Sequence, residues 1–258
     1  MSNKQYQHQA KVLSTGIRLV IFILMLSFFA GCGPKFDTMT AEQIYKFGEE
    51  KYGKKSYSDA IDAYEALIDL YPFSTYVTGA ELRIADAQFM RHRWTEAEAA
   101  YDAFAKRHPT HEQIDHVIFR SGMCSYNEKM AIDRDLQSTQ KAEQSFSQVV
   151  NRYPSSTYYA EAQTRLREVR DDLAARERYV AKQYWRDDEY YASYQRWERI
   201  TQLYSDTKYY EEALYYGARC LIELDERSEA QRYIDMLLRK FPEGKYASKA
   251  KSLAVKKD

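Results

Sequence analysis

A helical pattern that recurs five times constrains this chain more than any other feature of its sequence. Each copy begins with a small residue and has a bulky residue four positions later. A second bulky residue follows after three further positions, and proline, or serine in one copy, follows after another five. Steps of four and three keep side chains on one face of an α-helix, and proline ends a helix because it lacks an N–H group. The copies are Ala60/Tyr64/Leu67/Pro72, Ala97/Tyr101/Phe104/Pro109, Ala142/Phe146/Val149/Pro154, Ser193/Trp197/Ile200/Ser205 and Ala230/Ile234/Leu237/Pro242. The pattern predicts a helical repeat protein.

The spacing of the copies predicts two helices per repeat. The terminal positions 72, 109, 154, 205 and 242 are separated by 37, 45, 51 and 37 residues, and a period of this size suits a helix pair that buries its apolar face against its neighbours. When the terminal residue is numbered 32 in a 34-residue unit, Gly48, Ala85 and Ala218 fall at position 8. This set of positions resembles the tetratricopeptide repeat. The other helices are predicted at 43–51, 78–91, 113–130 and 209–224.

Two irregular steps modify this regular scheme. Gly122 fits position 8 only if extra residues follow it, so that 127–140 is predicted to loop out. The segment 157–184 contains neither glycine nor proline and carries opposite charges at helical spacing, such as Glu161 and Arg165. It predicts one helix of about 28 residues, roughly 40 Å long.

The predicted fold is therefore all-α, a right-handed tetratricopeptide superhelix of five helix-turn-helix repeats with one long helix at about 157–184. That helix would join an N-terminal block of three repeats, 41–156, to a C-terminal block at 157–258. The C-terminal block contains the long helix, repeats four and five and a terminal helix.

The first 31 residues predict a lipoprotein signal peptide. A basic region to Arg18 precedes an apolar run at 19–30, which is too short to span a bilayer comfortably. The residues Phe29-Ala30-Gly31-Cys32 resemble the box at which cleavage leaves a lipidated cysteine; the alternative is a soluble secreted protein cut nearby. Cys32 would carry diacylglycerol and an N-acyl lipid, and 32–40 would form a tether. Gly33, in place of aspartate, points to the outer membrane and its periplasmic face.

Charge and cysteine usage exclude several other classes of function. Without the three basic residues of the leader, 35 basic residues face 38 acidic ones, and the two signs alternate, so that nucleic acid is not expected as a partner. Cys124 and Cys220 lie in helices of different repeats. Because a disulfide needs Cα atoms within about 7 Å, we expect buried free thiols instead.

The candidate cluster for chemistry is formed by three histidines. His108, His111 and His116 could bind a metal, but Pro109 breaks the helix between the first two and no cysteine completes a ligand set. A structural role is the prediction. With nine glycines and no phosphate loop, nucleophile elbow or metalloprotease motif, we expect neither an enzyme nor a cofactor, but a binding groove.

The first helix of each repeat is expected to line this groove. Positions 5 and 12 of the first three repeats form two columns of mostly aromatic residues, suited to an extended peptide with aromatic side chains. The alternative is that a one-residue error in register places one column in the core. The predicted groove residues are Tyr45, Tyr52, Leu82, Phe89, Phe119 and Tyr126.

Three junctions between repeats are similar to those of the BamD family, the lipoproteins of the β-barrel assembly machinery of the outer membrane. They are Tyr71-Pro72-Phe73-Ser74, Pro109-Thr110-His111-Glu112-Gln113-Ile114-Asp115, and Tyr153-Pro154-Ser155-Ser156-Thr157-Tyr158 before the long helix. The resemblance runs over about 35–246. It implies that the C-terminal repeats bind the barrel subunit BamA through its last POTRA domain. It also implies that the N-terminal repeats receive unfolded outer-membrane proteins, and other assembly lipoproteins are further candidate partners.

The resemblance also gives Arg196 a role, since it matches a family arginine that pairs with an acidic residue of BamA; the alternative is an ordinary surface arginine. The chain departs from the family at Ser205, which replaces a proline, and in a loop after repeat three that is shorter than in enteric members. A lipoprotein of another envelope system, either a pilotin for a pilus secretin or a scaffold for peptidoglycan enzymes, remains the alternative function.

Overall fold

The structure is a computed structural model and describes residues 36–128 and 136–253. These residues form a short 3-10 helix, Phe36–Thr38, and eleven α-helices, without a β-strand among them. The helices are α1 (Ala41–Gly53), α2 (Tyr57–Leu70), α3 (Val77–Met90), α4 (Trp94–Arg107), α5 (Ile114–Glu128), α6 (Gln137–Arg152), α7 (Tyr159–Arg186), α8 (Tyr190–Leu203), α9 (Tyr210–Glu223), α10 (Arg227–Lys240) and α11 (Ala247–Leu253).

The helices form five consecutive pairs, α1/α2 to α9/α10, and α11 packs against α10 at the end of the array. Each helix packs mainly on the helices that precede and follow it in the chain. This is the arrangement of a stacked repeat protein, in which each unit completes its core against its neighbours. The predicted fold class, all-α with five helix-turn-helix repeats of the tetratricopeptide type, is confirmed.

The recurring sequence pattern forms the core of the second helices. All small and bulky residues of the five copies are at most 1% exposed, from Ala60 in α2 to Leu237 in α10. Ser193 replaces alanine in the fourth copy, and its hydroxyl donates to the Ala181 carbonyl at 2.9 Å. The polar group is thus satisfied in a buried position, as buried hydroxyls must be.

The turn between repeats forms equally well with proline or with serine. The Ser74 N–H donates to the Tyr71 carbonyl at 2.9 Å, and the Thr207 N–H donates to the Tyr204 carbonyl at 3.1 Å in the equivalent turn that holds Ser205. The Thr207 hydroxyl adds a second bond to the Tyr204 carbonyl, 2.7 Å long. These bonds close the turn, so the departure from proline leaves the repeat intact.

The long helix was predicted at 157–184 and is observed as α7, with the same length of 28 residues. Its Val169 packs in the core of repeats two and three, whereas Leu173 and Ala181 pack in the core around α8 and α9. One continuous helix therefore contributes to two neighbouring cores. The division into blocks at 41–156 and 157–258 stays a prediction.

One sequence-based boundary needs correction. The predicted loop 127–140 is shorter, because α5 continues to Glu128 and α6 begins at Gln137; burial of Thr139 extends the packed face of α6 towards its start. Residues 129–135 lie outside the described part. The end of the predicted tether is fixed on repeat one, since Thr40 caps α1 and the Tyr71 hydroxyl donates to the Met39 carbonyl at 2.6 Å.

Candidate binding face of the first helices

The first helices of repeats one to three line a cavity of about 520 Å³. Its walls come from α1, α3 and α5 and from the turns that precede α5 and α7. We call the surface around this cavity the inner face. Side chains that line it include Tyr45, Leu82, Arg83, Asp86, His116 and Tyr158. The cavity therefore carries charged groups as well as the expected aromatic rings, and is more polar than the predicted groove.

Arg83 of α3 connects the first two repeats. Its Nε and Nη2 atoms donate to the two carboxylate oxygens of Glu49 in α1, at 2.8 and 3.1 Å. The Tyr64 hydroxyl of α2 donates to the same carboxylate at 2.6 Å. A planar guanidinium that binds a carboxylate with two bonds fixes both partners in orientation, so this group joins three helices.

Asp86 connects the second repeat to the third. Its Oδ1 atom accepts a hydrogen bond from the Tyr101 hydroxyl at 2.7 Å and lies 2.9 Å from His116 Nε2. His116 Nδ1 lies 2.9 Å from the hydroxyl of Tyr158, just before α7. Burial, and then the charge of Asp86, raises the pKa of Tyr101, so its hydroxyl stays a donor at neutral pH.

Each of the three clustered histidines lies within hydrogen-bonding distance of another group of the protein. His116 belongs to the hydrogen bonds just described, and His108 Nε2 lies 2.8 Å from Glu81. His111 Nδ1 accepts from the Gln113 N–H at 3.2 Å within its own turn. Among residues 36–128 and 136–253 no group of three or more His, Cys, Asp or Glu side chains is arranged to hold a metal ion.

The residues of the predicted position-12 column are half-buried rings along the inner face. An arginine from the first helix of the following repeat covers each ring. The pairs are Arg83 over Tyr52, Arg120 over Phe89 and Arg165 over Tyr126, with 5.0, 4.6 and 5.0 Å from guanidinium carbon to ring centroid. Such stacking of arginine on aromatic rings is attractive. These three rings remain half-buried, as does Tyr45 among the other predicted groove residues.

The position-5 column is more deeply buried than the position-12 column. Tyr45 is half-buried and Leu82 is 6% exposed, and both line the cavity, whereas Phe119 is 2% exposed and lies outside its lining. The role of these residues as a substrate groove stays a prediction. Phe119 stacks on Tyr158 with 4.8 Å between ring centroids. The physical reason is that this column faces the following repeat, whose side chains cover it.

Arg196 in α8 lies beside the long helix. Its Nη1 atom is 3.3 Å from one oxygen of Glu177 in α7, and Arg199 Nε is 3.1 Å from the other oxygen. The Glu177 carboxylate is buried between these two arginines, whereas the side chain of Arg196 remains 37% exposed. The role of Arg196 in binding a partner stays a prediction.

The two cysteines of the repeats are buried and free, as predicted. Burial raises the pKa of both thiols, and that of Cys220 to about 11. A thiol with a raised pKa carries little thiolate at neutral pH and reacts slowly. Neither cysteine forms part of a reactive site.

Residues of the inner face that sequence reasoning missed are Arg83, Asp86 and Arg120. A signal was present, because Arg83, Arg120 and Arg165 each stand eleven residues after a terminal proline, namely Pro72, Pro109 and Pro154. A search for charged residues in repeat register would have found them.

The predicted signal peptide and Cys32 lie outside the described residues, so both remain predictions. Within residues 36–128 and 136–253, none of the helices combines the length and apolar character needed to cross a membrane.

The chain is similar in sequence to outer-membrane lipoproteins and assembly factors. The model of the YfiO family, described as outer membrane lipoprotein, matches residues 37–232. The outer membrane protein assembly factor BamD of Neisseria meningitidis serogroup B is 29% identical over 185 residues, which cover 68% of this chain and 69% of that protein. BamD of Neisseria gonorrhoeae is 27% identical over 221 residues, covering 82% and 83%. The crystal structure of MamA has 16% identity and a TM-score of 0.42, covering 81% of this chain and 94% of that one. The family match spans well over half of the sequence, and the chain therefore belongs to the YfiO family of outer-membrane lipoproteins, to which BamD belongs.

Proposed function

We propose that this protein is an assembly factor for outer-membrane proteins and that it acts by binding other proteins. The observation that carries this proposal is the family match over 37–232, together with the relatives in two Neisseria species that are named as such factors. The stacked helix pairs support it, because repeat proteins of this kind present long surfaces to their partners.

The protein is anchored at the periplasmic face of the outer membrane through lipid on Cys32. Three residues lie between Cys32 and Phe36, where the described part of the chain begins, and the four steps of chain from Cys32 to Phe36 reach at most about 14 Å. Because Met39 is bonded to Tyr71 of repeat one, the anchor holds that repeat close to the membrane. Replacement Cys32→Ala should move the protein from the membrane fraction to the soluble fraction.

The C-terminal repeats bind the BamA-like barrel subunit, with Arg196 as a contact to one of its carboxylates. Glu177 accepts from only one nitrogen of Arg196, and the half-exposed guanidinium can donate from its other nitrogens.

The aromatic rings of the inner face, Tyr52, Phe89 and Tyr126, receive segments of unfolded outer-membrane proteins.

Co-purification from native membranes tests the contact at Arg196, and Arg199 provides a matched control because it pairs with the same carboxylate. We expect Arg196→Ala to reduce the recovery of the barrel subunit and Arg199→Ala to leave it near the wild-type level. Equal losses would mean that the Glu177 contact, and not a partner, explains the effect.

In-cell crosslinking from position 196 identifies the partner directly by mass spectrometry. Capture of a BamA-like subunit is the expected result. Capture of pilus secretin subunits or murein hydrolases in its place would overturn the proposal in favour of another class of envelope lipoprotein.

A further inference from the structure

Three arginines of the inner face occupy equivalent positions but differ in their charge environment. Arg83 is neutralised by Glu49, and Arg165 by Glu168 at 3.0 Å. Arg120 stands between them in the repeat order, and the ion pairs formed among residues 36–128 and 136–253 do not include it. The central cation of the series therefore has no ion-pair partner among these residues.

The repeat register explains why Arg120 has no carboxylate partner in the described part of the chain. Asp86 lies 23 residues before Pro109, as Glu49 lies 23 residues before Pro72, so Asp86 is the acid that would be expected to pair with Arg120. Its Oδ1 atom is instead held by Tyr101 and His116, at 2.7 and 2.9 Å, and its Oδ2 atom lies 3.8 Å from Arg83 Nη1.

The surroundings of Arg120 favour a carboxylate ligand. Its guanidinium lies over the ring of Phe89 and is only partly exposed to water. Burial and the charge of Asp86 raise the pKa of the Tyr52 hydroxyl, whereas Arg83 and Arg120 lower it, which places Arg120 within electrostatic reach of a second ring of the same column. A partly desolvated guanidinium gains most from two parallel hydrogen bonds to a carboxylate.

We infer that Arg120 binds a carboxylate of an extended polypeptide that lies across the inner face. This inference rests on the proposed binding of unfolded outer-membrane proteins. The rings of Tyr52 and Tyr126 belong to the same column as Phe89, Tyr52 on α1 and Tyr126 on α5, the helix that carries Arg120. Bulky residues on either side of the carboxylate would meet these rings.

Binding of fluorescent peptides to the full mature chain tests the inference. The reference peptide comes from an outer-membrane β-strand and carries one aspartate with aromatic residues on both sides and a free C-terminus. One variant peptide replaces the aspartate by asparagine, a second carries a C-terminal amide, and a third combines both changes. Loss of affinity on the first change identifies a side-chain carboxylate, and loss on the second identifies the C-terminus.

The protein variants are Arg120→Gln, Arg120→Lys and, as a control, Arg91→Gln at an exposed arginine at the end of α3. A charged hydrogen bond contributes about 1.5–3 kcal/mol, so we expect Arg120→Gln to weaken binding of the reference peptide by about tenfold or more. Arg120→Lys should weaken it less, and Arg91→Gln should have no effect. The peptide without either carboxylate should bind wild type and Arg120→Gln equally, which also shows that the variant is folded.

Two results would overturn the inference, and they differ in what they say about the function. If all peptides bind wild type equally well, or if Arg120→Gln weakens the neutral peptide as much as the charged one, the carboxylate site is refuted while peptide binding by the inner face stands. If no peptide binds wild type, the proposed reception of unfolded proteins fails together with the site.

Discussion

The two helices of repeat one pack closely because residue 48 is glycine and has no Cβ atom. A Cβ atom added at Gly48 in α1 would lie 2.5 Å from Cε1 of the Tyr64 ring in α2, and that ring is fully buried. A Cβ at Gly53, in the same helix, would meet no atom within 4 Å. The two glycines therefore differ in packing but share their helix.

This contrast gives a prediction with an internal control. We expect Gly48→Ala to lower the free energy of unfolding by about 1–3 kcal/mol, because overpacking forces the ring or the helix to move. Gly53→Ala should be neutral or raise it by up to about 1 kcal/mol, because alanine is the better helix former. Urea unfolding of both variants measures the difference, and similar values for the two would contradict the packing argument.

Single residues also show how far sequence reasoning reaches. Gly48 could be assigned to position 8 of the repeat because small residues recur there, and the structure shows that this position is a close approach of two helices. The burial of Phe119 could not be predicted in the same way, because positions 5 and 12 are seven residues apart and lie on one face of a helix. Whether such a residue is buried depends on the next repeat, here on the ring of Tyr158. The hydrogen bonds of Asp86 depend equally on contacts between repeats.

At the scale of elements, Arg170 fixes the long helix α7 to its neighbours. It contacts Glu143 of α6 at 2.6 Å and donates from Nε to Asp206, after α8, at 2.9 Å. The hydrogen bond from Arg170 lowers the pKa of Asp206 below its ordinary value. One side chain thus links helices that belong to successive repeats.

Replacement Arg170→Met should lower the free energy of unfolding at pH 7 by about 1.5–3 kcal/mol, because it leaves two carboxylates without their donor. Arg170→Lys should lose less, since it keeps the charge. A carboxyl with a depressed pKa stabilises the fold above its unfolded pKa, and this contribution disappears as pH falls through the folded value. The variant should therefore show a smaller loss of stability than wild type below about pH 4. Parallel acid profiles for the two proteins would contradict this assignment.

The elements themselves were largely predictable because each helix carries its own apolar face and stop signal. The long helix was placed within two residues of its observed ends, and the fourth repeat was recognised despite Ser205. The start of α6 was not, because no proline or glycine marks it in 127–140. Helix ends that are fixed by packing instead of by a local signal are the ones that a sequence reveals least.

On the scale of the whole molecule, contacts follow the order of the chain, and this restricts how a local defect spreads. Helices pack mainly on their sequence neighbours, from α1/α2 at one end to α10/α11 at the other. In such an array stability is approximately a sum of terms for each repeat and each interface. A defect in the last repeat should therefore loosen that end without unfolding the first.

The substitution Leu237→Ala tests this, because Leu237 is fully buried in α10 and its truncation should cost about 2–5 kcal/mol. We expect faster amide hydrogen exchange in α9, α10 and α11 and little change in α1 to α4, measured by mass spectrometry of peptides from the intact chain. The equivalent change in repeat one, Leu67→Ala, should give the opposite distribution along the chain, with faster exchange in α1 to α3. If either variant accelerates exchange uniformly, the molecule unfolds as one cooperative unit, and the long helix α7 then couples both ends more strongly than nearest-neighbour packing allows.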